Sequence, residues 1–204
     1  MITKIITRIS VFSIIGLVFN FFMIYKFMSV WMHPQAGDLE LILNLIILML
    51  FEFWMINTGL LVSITAGRSW KHWLMAVAFF SVYAFAYNTA VSDNFIFIIH
   101  CSIVVNRTLA ALMNKDKTDV EKELKIAGFN FSLYMLLIIA LLVCSAIIPK
   151  FGLTKDYLIS ENYNFNPKSD DLFNMPHVAM CFGALYYLIL NFVEIKNIIS
   201  NFKK

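Results

Sequence analysis

The sequence predicts an all-α integral membrane protein, a single bundle of six transmembrane helices with both termini on the cytoplasmic side. Three observations carry that expectation. Six apolar stretches fill most of the 204 residues. Basic residues alternate across the gaps between those stretches. Charged residues are only 14% of the chain while hydrophobic ones are 60%, where a soluble domain carries roughly 25% charge. At this length one compact membrane domain takes up the chain and leaves no room for a soluble catalytic domain.

A helix needs about 20 apolar residues to cross the hydrocarbon core. The stretches that qualify are 9–31, 41–66, 73–91, 95–113, 126–148 and 178–199. The first follows Lys4 and Arg8, as a secretory signal would. It is longer than a signal's apolar region of roughly 7–15 residues, and no small-x-small cleavage site follows it. It therefore reads as a retained helix.

Orientation follows from the gaps. Lys4 and Arg8 precede the first span, and the first loop, 33–38, has neither Lys nor Arg. Arg68 and Lys71 fill the second gap, and the third, 92–94, again has none. Lys115, Lys117, Lys122 and Lys125 crowd the fourth, and Lys196, Lys203 and Lys204 end the chain. The long fifth loop, 150–176, mixes Lys150, Lys155 and Lys168 with Asp156, Glu161, Asp170 and Asp171. Short loops obey the positive-inside rule and long ones largely escape it. Both termini are thus expected in the cytoplasm, the membrane being the plasma membrane or a bacterial inner membrane.

Local signals mark the ends of the spans. Gly37 and Asp38 suit a turn and an N-cap before the second helix. Thr118 and Glu121 have capping-box spacing, which starts the fifth helix before it enters lipid. Glu121 and Lys125 add an i,i+4 pair there. Pro149 disfavours helix at the residue before it and would close the fifth span. Pro176 suits the first turn of the sixth, where a missing N–H costs little. Trp31, Trp70, Trp73 and Tyr157 fall where an aromatic belt would lie. The outer loop 150–176 reads either as a loose connector or as a lid or partner-binding surface, since long loops are often functional or disordered.

Charge inside the apolar runs is the main pointer to function, because it is costly there. Lys26 is near enough to the outer end of its helix to snorkel. Glu52 sits at the middle of the second span, too deep to reach water, and so must be protonated or paired. Gly59, Ser63 and Gly67 share its helix at small-xxx-small spacing, a face that lets another helix approach. On the fourth helix and its ends, Asp93, His100, Arg107 and Asn114 recur every seven residues on one stripe. The sixth adds Asn191 and Glu194. Helices two, four and six run in the same direction, and at helical rise Glu52, Arg107 and Glu194 fall within about 10 Å in depth. Two readings of a cluster of Glu52, His100, Arg107, Asn191 and Glu194 follow. One is a structural ion pair that fixes helix order. The other is a polar pathway for a proton or small solute, with His100 as a titrating relay.

Other chemistry is excluded or weak. The basic residues gather at helix ends rather than in a patch, which argues against nucleic acid. Cys101, Cys144 and Cys181 are odd in number and lie within apolar runs, which argues against a disulfide framework. They lie in the outer half of the membrane, with His100 and His177 near that side, but nothing places them on converging faces to hold a metal or haem. No hydrolase, zinc-protease or phosphate-loop motif is present, so neither enzyme activity nor a cofactor is expected. The leading functional reading is a non-catalytic membrane subunit or accessory protein. Beyond the lipid bilayer, it would meet a protein partner or a second copy through helix faces or the outer loop. The alternative is a small transporter or channel-like protein.

The cluster reading has a direct test. Arg107→Ala would leave a carboxylate unpaired, and breaking a buried pair typically costs about 3–5 kcal/mol. Adding Glu52→Gln recovers part of that loss of thermal stability if the two are paired. A structural pair recovers activity with it, whereas a pathway does not.

Overall fold

A computed structural model describes residues 11–66, 70–89, 117–163 and 173–202. Among the described residues the chain is all-helical, with no strand. The helices are α1 (Val11–Met32), α2 (Leu39–Ala66), α3 (Trp70–Thr89), α4 (Lys117–Val143), α5 (Lys155–Ser160) and α6 (Pro176–Phe202). Two of them contain segments long and apolar enough to cross a membrane, Leu124–Val143 and Pro176–Ser200. Gly16–Met32 is a shorter apolar helix. The span expected at 95–113 lies outside the described residues, so the sixfold count belongs to the functional proposal below.

The expected boundaries are close, with instructive departures. The turn at 33–38 forms as expected, with Gly37 at φ +89°, a left-handed backbone that glycine adopts without cost. The Asp38 side chain does not cap the helix that follows; its Oδ2 accepts the N–H of Gln35 instead, at 2.8 Å. α3 begins at Trp70 and ends at Thr89, each about a turn or less before the apolar run that predicts it. Thr118 lies inside α4 rather than at its N-cap. The expected pair on that collar does form, with Lys125 Nζ 2.9 Å from Glu121 Oε1. The lysine holds the Glu121 carboxyl below its ordinary value, by hydrogen bond first and charge second. Being fully in solvent, such a pair adds little stability.

The larger correction is at the other end of α4. The helix stops at Val143, not at 148. Pro149 bars helix just before it: its ring crowds the Ser145 carbonyl four residues back and pushes Ile148 out of helical backbone. Residues 144–147 form turns, closed by Ser145 N–H to Leu142 O and Ile147 N–H to Cys144 O. Pro176 is the first residue of α6, as its missing N–H allows.

The residues divide into two compact units, 1–46 with 137–204 and 47–136. The first is built on α1 packed against α6. Phe27 is fully buried and stacks on Tyr187, with ring centroids 6.0 Å apart. Phe19 meets the same tyrosine edge-on at 6.1 Å. Phe27 reaches α6 because Gly183 stands opposite: a Cβ there would fall within 2.6 Å of ring carbon Cδ1 and closer still to Cε1 and Cζ. Ala179, one turn earlier on α6, is also buried. Ala179 and Gly183 thus form a small-xxx-small face of the kind that membrane helices use for close approach.

In the second unit, Tyr134 of α4 is buried and its hydroxyl donates to the Met49 carbonyl of α2 at 2.7 Å. Phe53 packs on Tyr134 and on Phe131, with centroids 5.6 Å and 5.9 Å away. This contact ties α2 to α4 by one polar bond inside an aromatic cluster.

Gly183→Ala should destabilise the chain by about 1–3 kcal/mol, the range for overpacking a filled interior. Adding Phe27→Leu should recover part of it. Gly16→Ala is the control, because a Cβ there meets nothing within 4 Å. Thermal unfolding of purified protein in detergent reads all three; equal tolerance at 183 and 16 would remove Gly183 from the packing face.

Candidate functional site

Two features of the first unit stand out, one at the C-terminal end of α1 and one along α6. At the first, the segment 149–163 is clasped onto the end of α1 and the loop that follows it. Trp31 Nε1 donates to the Pro149 carbonyl at 2.9 Å. In return, the Gly152 N–H caps the Trp31 carbonyl at 3.2 Å, satisfying an acceptor that the end of α1 leaves open. Tyr157 Oη donates to the Gln35 carbonyl at 2.7 Å, and Gly37 N–H donates to Glu161 Oε2 at 2.9 Å. Four bonds therefore join two segments more than a hundred residues apart in sequence.

The clasp needs specific backbone. Gly152 approaches Pro34 so closely that a Cβ would overlap the proline ring and lie 2.9 Å from the Met32 carbonyl. Phe151 beside it is held at φ +44°, left-handed backbone that costs a bulky residue about 1–3 kcal/mol. Its ring meets Trp31 edge-on at 5.0 Å. α5 is started by Thr154, whose hydroxyl accepts the Tyr157 N–H at 3.3 Å. Leu158 and Tyr163 turn inward and are buried, and the Tyr163 hydroxyl donates to the Phe173 carbonyl at 2.6 Å. Burial, followed by the charges of Glu161 and Asp38, pushes the Tyr157 phenol up. It stays a donor at neutral pH, and the stability it adds is lost only as pH rises past the ordinary phenol range.

The second feature is polar. Asn191 of α6 is 2% exposed, and among the described residues neither its Nδ2 nor its Oδ1 has a hydrogen-bond partner. An unsatisfied buried amide costs about 1–3 kcal/mol. Glu194, one turn on, is half-buried. Nearer the start of α6, His177 is buried.

Of the predicted cluster, Glu52 is half-buried in α2 and belongs to the second unit. Asn191 and Glu194 share one face of α6 in the first. His100 and Arg107 lie outside the described residues. The predicted packing face is likewise not displayed: Gly67 lies outside the described residues, and the side-chain surroundings of Gly59 and Ser63 are not among those described. Lys26 holds its ammonium 5.7 Å from the centre of the Phe22 ring. Cys144 and Cys181 are free thiols. Among the described residues, no three His, Cys, Asp or Glu side chains gather closely enough to hold a metal.

Sequence reasoning missed the clasp and the Ala179–Gly183 face. In the sequence Trp31 and Tyr157 look like interface aromatics and Glu161 like one charge among several in a long loop. Their partners are backbone groups, which carry no side-chain signature. The spacing of Ala179 and Gly183 was readable and is the signal that could have found that face. No family model, curated protein or solved structure matches the chain.

Replacing Asn191 by Leu removes the unpaired amide at similar volume. It should raise stability by about 1 kcal/mol or more, measured by chemical unfolding in micelles. A loss of stability instead would show that the amide has a partner.

Proposed function

We propose that the chain is a six-span membrane protein with both termini cytoplasmic, acting as a non-catalytic subunit or accessory protein that docks a protein partner on its clasped outer surface. The observation that carries this reading is the clasp itself. A connector needs no such fixing, and four cross-loop bonds plus a strained Phe151 are costly to hold unless a defined surface is required. A surface ordered in advance binds without the entropy loss of ordering a loop. It offers Ile159, 72% exposed, among exposed Lys155, Asp156, Ser160 and Asn162. The six spans are supported by the two helices that meet the length and hydropathy requirement and by the charge alternation of the gaps.

The alternative, a small transporter or channel-like protein, is favoured by one observation, the unpartnered Asn191. Unlike the clasp, it includes no surface open to a ligand, so the accessory reading ranks first.

Orientation is tested with single cysteines in a chain whose Cys101, Cys144 and Cys181 are replaced. Asp156→Cys should react with a membrane-impermeant maleimide from outside and Glu121→Cys should not; the reverse pattern overturns the topology. Docking is tested with a photo-crosslinker at Asn162 in cells. The reading expects one discrete protein adduct, lost when Glu161→Ala and Tyr157→Phe together release the clasp. Adducts to lipid alone, or an adduct indifferent to the clasp, would overturn it.

A further inference from the structure

We propose that the turn 144–148 lies within the bilayer, at the boundary of acyl chains and headgroups, and that Ile147 extends the lipid-facing stripe of α4 past the end of its own helix. This rests on the membrane-spanning reading of α4. Ile139, Val143 and Ile147 are 55%, 79% and 82% exposed and recur every four residues. The first two lie on the helix and the third lies beyond it, so one apolar stripe runs continuously across the break. Its occupant over Ile139 and Val143 is the hydrocarbon of the membrane, and the same surface continues to Ile147.

Depth agrees. The 20 residues Leu124–Val143 rise about 30 Å, which matches the hydrocarbon core at about 30 Å. The turn therefore falls where acyl chains give way to headgroups. Exposed Lys150 follows three residues later, placed to reach lipid phosphate.

The obstacle is the backbone, since broken helix at membrane depth is tolerated only where protein satisfies its polar groups. Here three of the five N–H groups of residues 144–148 are met. Cys144, Ser145 and Ile147 donate their N–H groups to Ala140, Leu142 and Cys144 carbonyls at 2.9, 3.3 and 2.9 Å. The Pro149 carbonyl just past the turn is met by the Trp31 indole of α1.

The test is nitroxide accessibility in the full chain, free of its native cysteines, reconstituted in phosphatidylethanolamine–phosphatidylglycerol nanodiscs. Labels go on Ile147→Cys, on Ile139→Cys and on Asp156→Cys, one at a time. At Ile147 the ratio of oxygen to nickel-chelate collisions should exceed that at Asp156 several-fold and approach that at Ile139. A ratio at Ile147 equal to that at Asp156, with Ile139 still in lipid, overturns the proposal and leaves the span intact. A label at Ile147 shielded from both reagents means that protein covers it, which also overturns the proposal. A water-exposed Ile139 overturns the membrane reading itself.

Discussion

The contact on which the first unit depends is the Phe27 ring lying against the bare backbone of Gly183. In lipid, one helix gains nothing from hiding apolar surface on another, because the acyl chains are as apolar as leucine. If α1 and α6 cross a bilayer, as proposed, close packing supplies the attraction. A glycine opposite a phenylalanine turns a ring edge into a large area of dispersion contact, each atom pair small and the sum considerable. Tyr187 then stacks on Phe27, Phe19 closes on Tyr187, and α1 and α6 are fixed along their length. The outer clasp is the consequence. Once the two helices are held together, the end of α1 and the segment leading to α6 lie side by side, and backbone carbonyls at Trp31, Gln35 and Pro149 find donors.

Much of the helical framework was legible in the sequence for reasons of elementary chemistry. Gly37 marks the turn after α1 because only a residue without Cβ adopts that backbone freely. Pro176 marks the start of α6 because it lacks the N–H that a first turn does not use. Glu121 and Lys125 pair because residues four apart face each other on a helix. Pro149 was read correctly as a stop and placed incorrectly, because its ring acts on the turn before it and the break begins at Val143.

The tertiary features were not legible in the same way. The clasp joins side chains to backbone groups more than a hundred positions away, and any residue can supply a carbonyl. Of the predicted polar cluster, the buried Asn191 shows why sequence reasoning reached only part of the way. Its position in an apolar run reveals that it is costly, but not which neighbour, if any, relieves it. Charge points to small residues beside Glu52, while the close approach at Gly183 lies against the Phe27 ring, with no charge of its own to mark it.

The pairing of α1 with α6 sets the order in which this protein can be built. α1 leaves the ribosome well before α6, with α2, α3, α4 and α5 between them in the chain. The Phe27 face must therefore wait for its partner, and Trp31 has no Pro149 carbonyl to bond until the residues after α4 exist. Such long separations make closure slow compared with local helix formation. The clasp can form only after α4 and the segment that follows it have been made, so it marks a late stage of folding. Any surface it presents is withheld from partners until then.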